Sequence, residues 1–204
     1  MTAAEFSALA EVDDAVIDRL QTYLELLSKW QRRINLVGTS TLDDPWRRHF
    51  LDSAQLCRHI EPDDRPLYDI GSGAGFPGLV LAVMGIPGVG LVESDQRKAA
   101  FLREVIRATD ANAEVIVARV EELAPERAGI ITARACAPLE KLLRLTTNLW
   151  TPETIGLLHK GRNVDAELTL AHKSWNIRVE KLPSLSDPEG VILRISEREN
   201  RRET

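Results

Sequence analysis

The 204-residue chain carries 31 acidic against 26 basic residues, a net charge of -5, and 44% of it is hydrophobic. That length can bury the core of one α/β domain with an appendage, without disulfides or metal. The acidic balance excludes a protein coated in nucleic acid by bulk charge, so RNA contacts have to come from local basic patches on one face.

Two cysteines, Cys57 and Cys136, stand far apart with no CxxC or Cys/His spacing, which predicts a reducing compartment and no metal site. The N-terminal stretch MTAAEFSALAEVDD lacks the basic start and apolar run of a signal peptide. No apolar run approaches a membrane span, so the expected location is cytoplasmic with no membrane partner.

Val16, Leu20, Tyr23, Leu24, Leu27 and Trp30 recur at helical spacing with charges between them, which predicts an amphipathic helix. A cap- and turn-rich string from Thr39 to Pro45 leads into a second helix, with Phe50, Leu51, Ala54 and Leu56 on its apolar face. Residues 1–62 therefore read as a helical cap, with 61–66 as the linker into a core at 63–204.

In the core, Leu67-Tyr68 runs into Asp69-Ile-Gly-Ser-Gly-Ala-Gly-Phe-Pro-Gly78, which reads as strand, tight glycine loop and helix start. Then come a helix to Met84, a strand Val89 to Glu93, a helix to Thr109, a strand Glu114 to Ala118 and a turn Val120 to Leu123. Strands Gly129 to Ala133 and Ile155 to His159 are followed by helices Pro138 to Trp150 and Val164 to Trp175. Strands Ile177 to Lys181 and Val191 to Ser196 close the chain with no helix between them. The expected fold is α/β: a doubly wound, Rossmann-like sheet of the class I methyltransferase type, with an antiparallel last strand and an N-terminal helical cap. The tail after Ser196 is expected to fray.

Gly71, Gly73 and Gly75 would let the backbone take positive φ and come against a cofactor. Gly73, Gly75 and Gly78 also satisfy the dinucleotide fingerprint, which leaves a nicotinamide or flavin dinucleotide open. Asp69 tips the choice. A carboxylate at the strand's mouth repels a pyrophosphate but favours the sulfonium and ammonium of S-adenosylmethionine.

Glu93, ending the second strand, is placed to hold a ribose diol, and Val120-Glu121 to bracket an adenine. Arg134, at the end of the fourth strand, is expected at the site, where it can hold a cofactor carboxylate or a phosphate or base edge of the substrate. Its alternative is an ion pair with Asp69 or another acid.

Amine-methylating enzymes of this fold often carry Asn/Asp-Pro-Pro-Tyr where this chain has Ala135-Cys136-Ala137-Pro138. Cys136 is expected to be a buried small hydrophobe rather than a nucleophile. An acceptor with a free lone pair, such as guanine N7, needs no general base, and no residue is assigned catalysis beyond positioning by Arg134. Arg48, His49 and Lys160 are expected on a phosphate-contacting rim. The basic groups Arg97-Lys98 and Arg198 with Arg201-Arg202 read as solvated faces.

Asn35-Leu36, Thr39-Ser40, Arg48-His-Phe-Leu-Asp-Ser53, the glycine loop, Lys98 with Phe101-Leu102, Arg119-Val-Glu-Glu122, Arg134-Ala135 and Lys160-Gly161 occur in this order along the chain. With them the sequence resembles the RsmG/GidB methyltransferases, which methylate a guanine N7 in bacterial 16S ribosomal RNA. The resemblance implies that Gly71, Phe76, Val120-Glu121 and Arg134 contact S-adenosylmethionine. It also implies that Arg48, His49 and Lys160, with Lys98 beside them, meet 16S rRNA or the small subunit, the helical cap serving as part of the platform; separately, the protein is expected to act as a monomer. Two other readings stay open: a methyltransferase for a small molecule or protein, and an inactive RNA-binding or ribosome-assembly protein.

Overall fold

The structure, a computed structural model, describes residues 1–61, 65–123 and 127–200. Residues 62–64 of the expected linker, with the cap boundary at 62/63, and the Arg201-Arg202 group lie outside the described residues.

The strands are β1 (Leu67–Ile70), β2 (Val89–Val92), β3 (Ala113–Ile116), β4 (Ile130–Arg134), β5 (Ile155–Lys160), β6 (Trp175–Pro183) and β7 (Val191–Asn200). They form one sheet in the order β3-β2-β1-β4-β5-β7-β6. β1 to β5 pair in parallel, and β7 runs antiparallel to both β5 and β6. The expected antiparallel last strand is therefore present. All four residues of β1 are buried, as a central parallel strand covered on both faces requires. The order reverses between β1 and β4, and such a switch point opens a crevice at the carboxyl ends of its strands.

The helices are α1 (Ala3–Ala10), α2 (Asp14–Gln31), α3 (Gly78–Val83), α4 (Gln96–Thr109), α5 (Leu139–Leu145) and α6 (Val164–Ala171). α1 was not foreseen. It is short and held by a capping box in which Thr2 Oγ1 accepts from the Glu5 N–H and Glu5 Oε2 from the Thr2 N–H. Asp13 and Asp95 cap α2 and α4 more simply, each accepting first-turn N–H groups on a side-chain oxygen. The expected second cap helix is a composite: a π-helical Trp46–Leu51, one α turn Asp52–Ala54 and a 3-10 turn Gln55–His59. A π turn re-aims the side chains it carries, and this one carries Arg48 and His49.

Two apolar clusters cover the sheet. One joins the cap side chains Phe6, Leu20, Tyr23, Leu27 and Phe50 to α3, α4 and one face of the sheet; the other packs α5 and α6 on the opposite face. Each of those five cap side chains is fully buried, worth about 1.5–3 kcal/mol apiece for the large apolar ones. The cap is thus seated by the same core that supports the glycine loop.

The chain end corrects one expectation. β7 continues past Ser196 to Asn200, because β6 begins already at Trp175 and pairs with it along that length. Arg178 pairs with Glu197 at 3.2 Å and the Arg198 guanidinium lies 3.9 Å over the Trp175 ring. Residues 197 to 200 are therefore strand and not fray.

Candidate functional site

A cleft of about 430 Å³ opens at the carboxyl ends of β1 and β4, a volume in the range of small-molecule sites. Gly71, Ser72, Gly73, Ala74 and Phe76 form one wall, Arg134 and Ala135 another, and Arg48, His49 and Asp52 of the cap a third. Lys98 and Asp187 stand at its edge.

The loop's conformation follows from its glycines. Gly71, Gly73 and Gly75 have φ of +65°, +56° and +91°, in the region that side chains disfavour. A Cβ on Gly71 would lie 2.6 Å from Cys136 Sγ, so the loop is pressed against the end of β4. A Cβ on Gly73 would meet only the Gly71 carbonyl within 4 Å, so this backbone presents itself bare to the cleft.

Three loop amides are already spoken for. Gly71 and Ser72 donate to the Val92 carbonyl, and Gly73 donates to Glu93 Oε2 at 2.8 Å. The carboxylate standing on the loop is thus Glu93, which is 7% exposed, and its Oε1 accepts from the Asp95 N–H at 2.8 Å. With the Gly73 amide facing a carboxylate and the other two bonded to a carbonyl, these amides leave no phosphate cradle, and each Glu93 oxygen keeps a lone pair for a hydroxyl donor.

Asp69 does something other than expected. Its side chain is fully buried on the α3 side of the sheet and does not line the cleft. Thr132 Oγ1 donates to its Oδ1 at 2.8 Å, Ser72 Oγ donates to its carbonyl at 2.8 Å, and Oδ2 has no partner. Burial pushes this carboxyl up to about 6, against hydrogen bonds from Thr132, Ser72 and the Gly78 amide and the nearby charge of Arg134. It braces the loop from beneath.

Tyr23 of α2 braces the loop as well. Its hydroxyl donates to the Ala74 carbonyl and its ring stacks on Phe76 at 5.3 Å. Gly75 sits against this Tyr23 and Leu79, away from the cleft. Val120 is buried and Glu121 exposed in a 3-10 turn beyond β3, and neither lines this cleft.

Arg134 is the hub. Its Nη1 donates to Asp52 Oδ2 at 3.1 Å and to the Arg48 carbonyl at 3.0 Å, while Nη2 donates to His49 Nδ1 at 3.1 Å. The guanidinium also lies 4.8 Å over the Phe76 ring. Its ion pair is therefore with Asp52, which sequence reasoning quoted in a motif but gave no role.

Asp52 gathers four elements. Ser186 Oγ and Gln55 Nε2 donate to its Oδ1 at 2.5 and 3.2 Å, and His159 Nε2 of β5 lies 2.7 Å from its carbonyl and 3.7 Å from Oδ2. Burial raises its pKa, but His159, Arg134 and the Ser186 hydroxyl outweigh that and hold it below the usual carboxylate value.

His49 is not on an outer rim. It is 4% exposed and stacked on Phe76 at 4.7 Å, with both ring nitrogens engaged. Because arginine only donates, Nδ1 is the acceptor, so Nε2 carries the proton and faces Thr41 Oγ1 at 2.8 Å. Thr41 in turn donates to the Gly38 carbonyl at 2.6 Å. Burial and the Arg134 charge push the imidazole down to about 3, so it is neutral.

Lys160 also departs from expectation. Its side chain is 8% exposed, and Nζ donates to the Ala137 carbonyl at 2.9 Å and to Glu167 Oε2 at 2.8 Å. Arg48, 47% exposed and paired with Asp187 at 3.2 Å, does reach the surface. Lys98 is half-buried and makes no side-chain ion pair among the described residues. Cys136 is exposed at the loop's edge and not the buried hydrophobe expected; desolvation and the Asp69 and Glu93 charges raise its pKa, so it stays a thiol.

Known proteins share the fold and much of the sequence. By fold, the chain is similar to a ribosomal protein L11 methylase from Lactobacillus delbrueckii subsp. bulgaricus (TM-score 0.59, 13% identity, 79% of this chain and 80% of that one). It is also similar to a SAM-dependent methyltransferase from Aquifex aeolicus (TM-score 0.57, 18% identity, 76% and 96%). By sequence it is 50% identical over 197 residues to ribosomal RNA small subunit methyltransferase G of Rhodospirillum rubrum, covering 97% of this chain and 98% of that one. Identity to the protein of the same name from Rhodospirillum centenum is 52% over 195 residues, covering 96% and 90%. The model of the GidB family, rRNA small subunit methyltransferase G, matches residues 16–192, and the chain belongs to that family of methyltransferases.

Proposed function

We propose that the chain transfers a methyl group from S-adenosylmethionine to N7 of a guanine in the 16S rRNA of the bacterial small subunit. One observation carries the reading: the cleft joins a bare glycine backbone to a fixed arginine, while Glu93, just outside the cleft lining, already accepts from the Gly73 amide of that loop. That set suits a cationic, phosphate-free nucleoside cofactor and disfavours a dinucleotide.

The cofactor, when bound, supplies an electrophilic methyl group. In this reading Gly71, Gly73 and Phe76 line its methionine portion, Gly75 and Asp69 support them from behind, Glu93 takes the ribose and Val120-Glu121 flank the adenine. Arg134 spends three of its five N–H groups on Asp52, Arg48 and His49, which leaves two donors for a cofactor carboxylate.

Guanine N7 offers a lone pair and loses no proton, so alignment is the catalytic contribution required of the protein. The polar groups of the cleft fit that demand. His49 is neutral with both nitrogens used, and Asp52 is bonded at both oxygens. Arg48 and Lys98 at the cleft edge meet the RNA backbone, and the helical cap, as a platform beside them, shapes the approach.

Mass mapping of 16S rRNA from cells with and without the gene tests this. Loss of one methyl from one guanine is expected, and an identical map overturns the reading.

A further inference from the structure

A second cleft, of about 510 Å³, adjoins the first and shares Asp52, Arg134, Ala135 and Asp187 with it. An acceptor must reach the transferable methyl, so its pocket has to border the cofactor cleft, and this one does. Cys136, Ala137 and Pro138 form one side. Glu167 of α6 and Lys160 of β5 line it as well, and neither reaches the first cleft.

Glu167 is held by one oxygen only. Its Oε2 accepts from Lys160 Nζ at 2.8 Å and from the Leu139 N–H at 2.7 Å, and the side chain is 26% exposed. Among the described residues no donor reaches Oε1. Lys160 spends two of its three N–H groups on Ala137 and Glu167. The pair therefore offers a donor directly beside an acceptor.

Guanine presents the complement: O6 accepts, and the adjoining N1–H and 2-amino group donate. We propose that the second cleft receives the target guanine and that Lys160 and Glu167 read this edge, Nζ donating to O6 and Glu167 Oε1 accepting from N1–H and the amino group. N7 lies on the other side of O6, away from the Lys160–Glu167 pair, and its lone pair stays free to take the methyl. Adenine would set its N1 lone pair against the carboxylate and its amino group against the ammonium, leaving Glu167 Oε1 and the third Lys160 N–H without partners, which is how a polar site rejects a near-isostere. This inference rests on the guanine-N7 reading and adds the residues that choose the base.

The test pairs Glu167→Gln with RNA carrying guanine or inosine, which lacks the 2-amino group, at the mapped position, both as naked rRNA and in reconstituted small subunits. The wild type should lose about ten-fold or more in kcat/KM on inosine, the size of a lost charge-assisted hydrogen bond. The variant should lose about ten-fold on guanine and lose little further on inosine. S-adenosylmethionine affinity by calorimetry, expected within about two-fold of wild type, shows that the variant is folded. An equal guanine-over-inosine preference in both proteins, or full turnover of guanine by the variant, overturns the assignment while leaving the methyltransferase reading intact. A wild type inactive on guanine in both RNA forms overturns the reading and this inference together.

Discussion

Arg134 Nη1 and Asp52 Oδ2 lie 3.1 Å apart, joining the end of a core strand to the cap across 82 positions of sequence. Both side chains are largely buried, so each leaves an uncompensated charge when the other is removed. Asp52→Ala also removes an acceptor from Ser186 and Gln55, and should lower unfolding free energy by about 3 kcal/mol, read as a fall in urea midpoint. Arg134→Ala alone should cost a similar amount, and the double variant much less than the sum. Additive losses would show that the pair is incidental.

At Gly71 the glycine loop runs close to Cys136, just past the end of β4. Gly71→Ala forces a side chain into positive φ, which costs about 1–2 kcal/mol, and places its Cβ 2.6 Å from Cys136 Sγ. Adding Cys136→Ala removes the sulfur but leaves a Cβ at 3.3 Å and the backbone cost. S-adenosylmethionine affinity should therefore collapse in Gly71→Ala and recover only in part in the double variant. Full recovery would mean that φ at position 71 carries no cost.

What the sequence disclosed and what it hid follow from the range of the interactions. The glycine loop, the alternation of strands with helices and the antiparallel end were legible because each depends on local backbone rules or on the length of one connection. Asp52 was quoted within Arg48-His-Phe-Leu-Asp-Ser53, yet its partners come from β4, β5 and the loop after β6, and no local pattern announces them. Lys160 read as exposed because the carboxylate that captures it, Glu167, is brought back by the turn into α6. Charged residues from Glu197 to Glu199 looked like a tail, whereas their alternation matches Arg178 and Trp175 across β6. Asp69 and Glu93 were both noticed, but which acid stands on the loop is decided by the face each side chain takes from its strand.

His49 gives the protein an acid-sensitive element of known sign. Its folded pKa of about 3 lies below the ordinary 6.5, so its contribution to stability is complete above pH 6.5 and is lost as pH falls toward 3. Asp69, raised from 3.8 to about 6, acts oppositely: stability rises as pH falls through that window. The two slopes offset each other in the wild type. Replacing His49 by Gln, which keeps an acceptor for Arg134, exposes the Asp69 slope. The stability difference between wild type and His49→Gln should shrink by about 2 kcal/mol from pH 6.5 to 5. Imidazole NMR should show Nε2 protonated and no titration of His49 across that range; a titration near 6.5 would contradict its burial.

Lys98 and Lys160 separate by what their ammonium groups already touch. Lys98 stands at the cleft edge with no side-chain ion pair among the described residues, free to displace a counterion from a phosphate. Its replacement by Ala should weaken rRNA binding at low salt and reduce the slope of log K against log salt by about one, with the urea midpoint unchanged. Lys160 is bound to Ala137 and Glu167, so Lys160→Ala should instead lower stability by about 2 kcal/mol through the stranded carboxylate. If Lys160 touches a base edge and no phosphate, its variant also keeps the wild-type salt slope on RNA. A slope reduced equally by both variants would place Lys160 on the backbone of the RNA and away from the guanine.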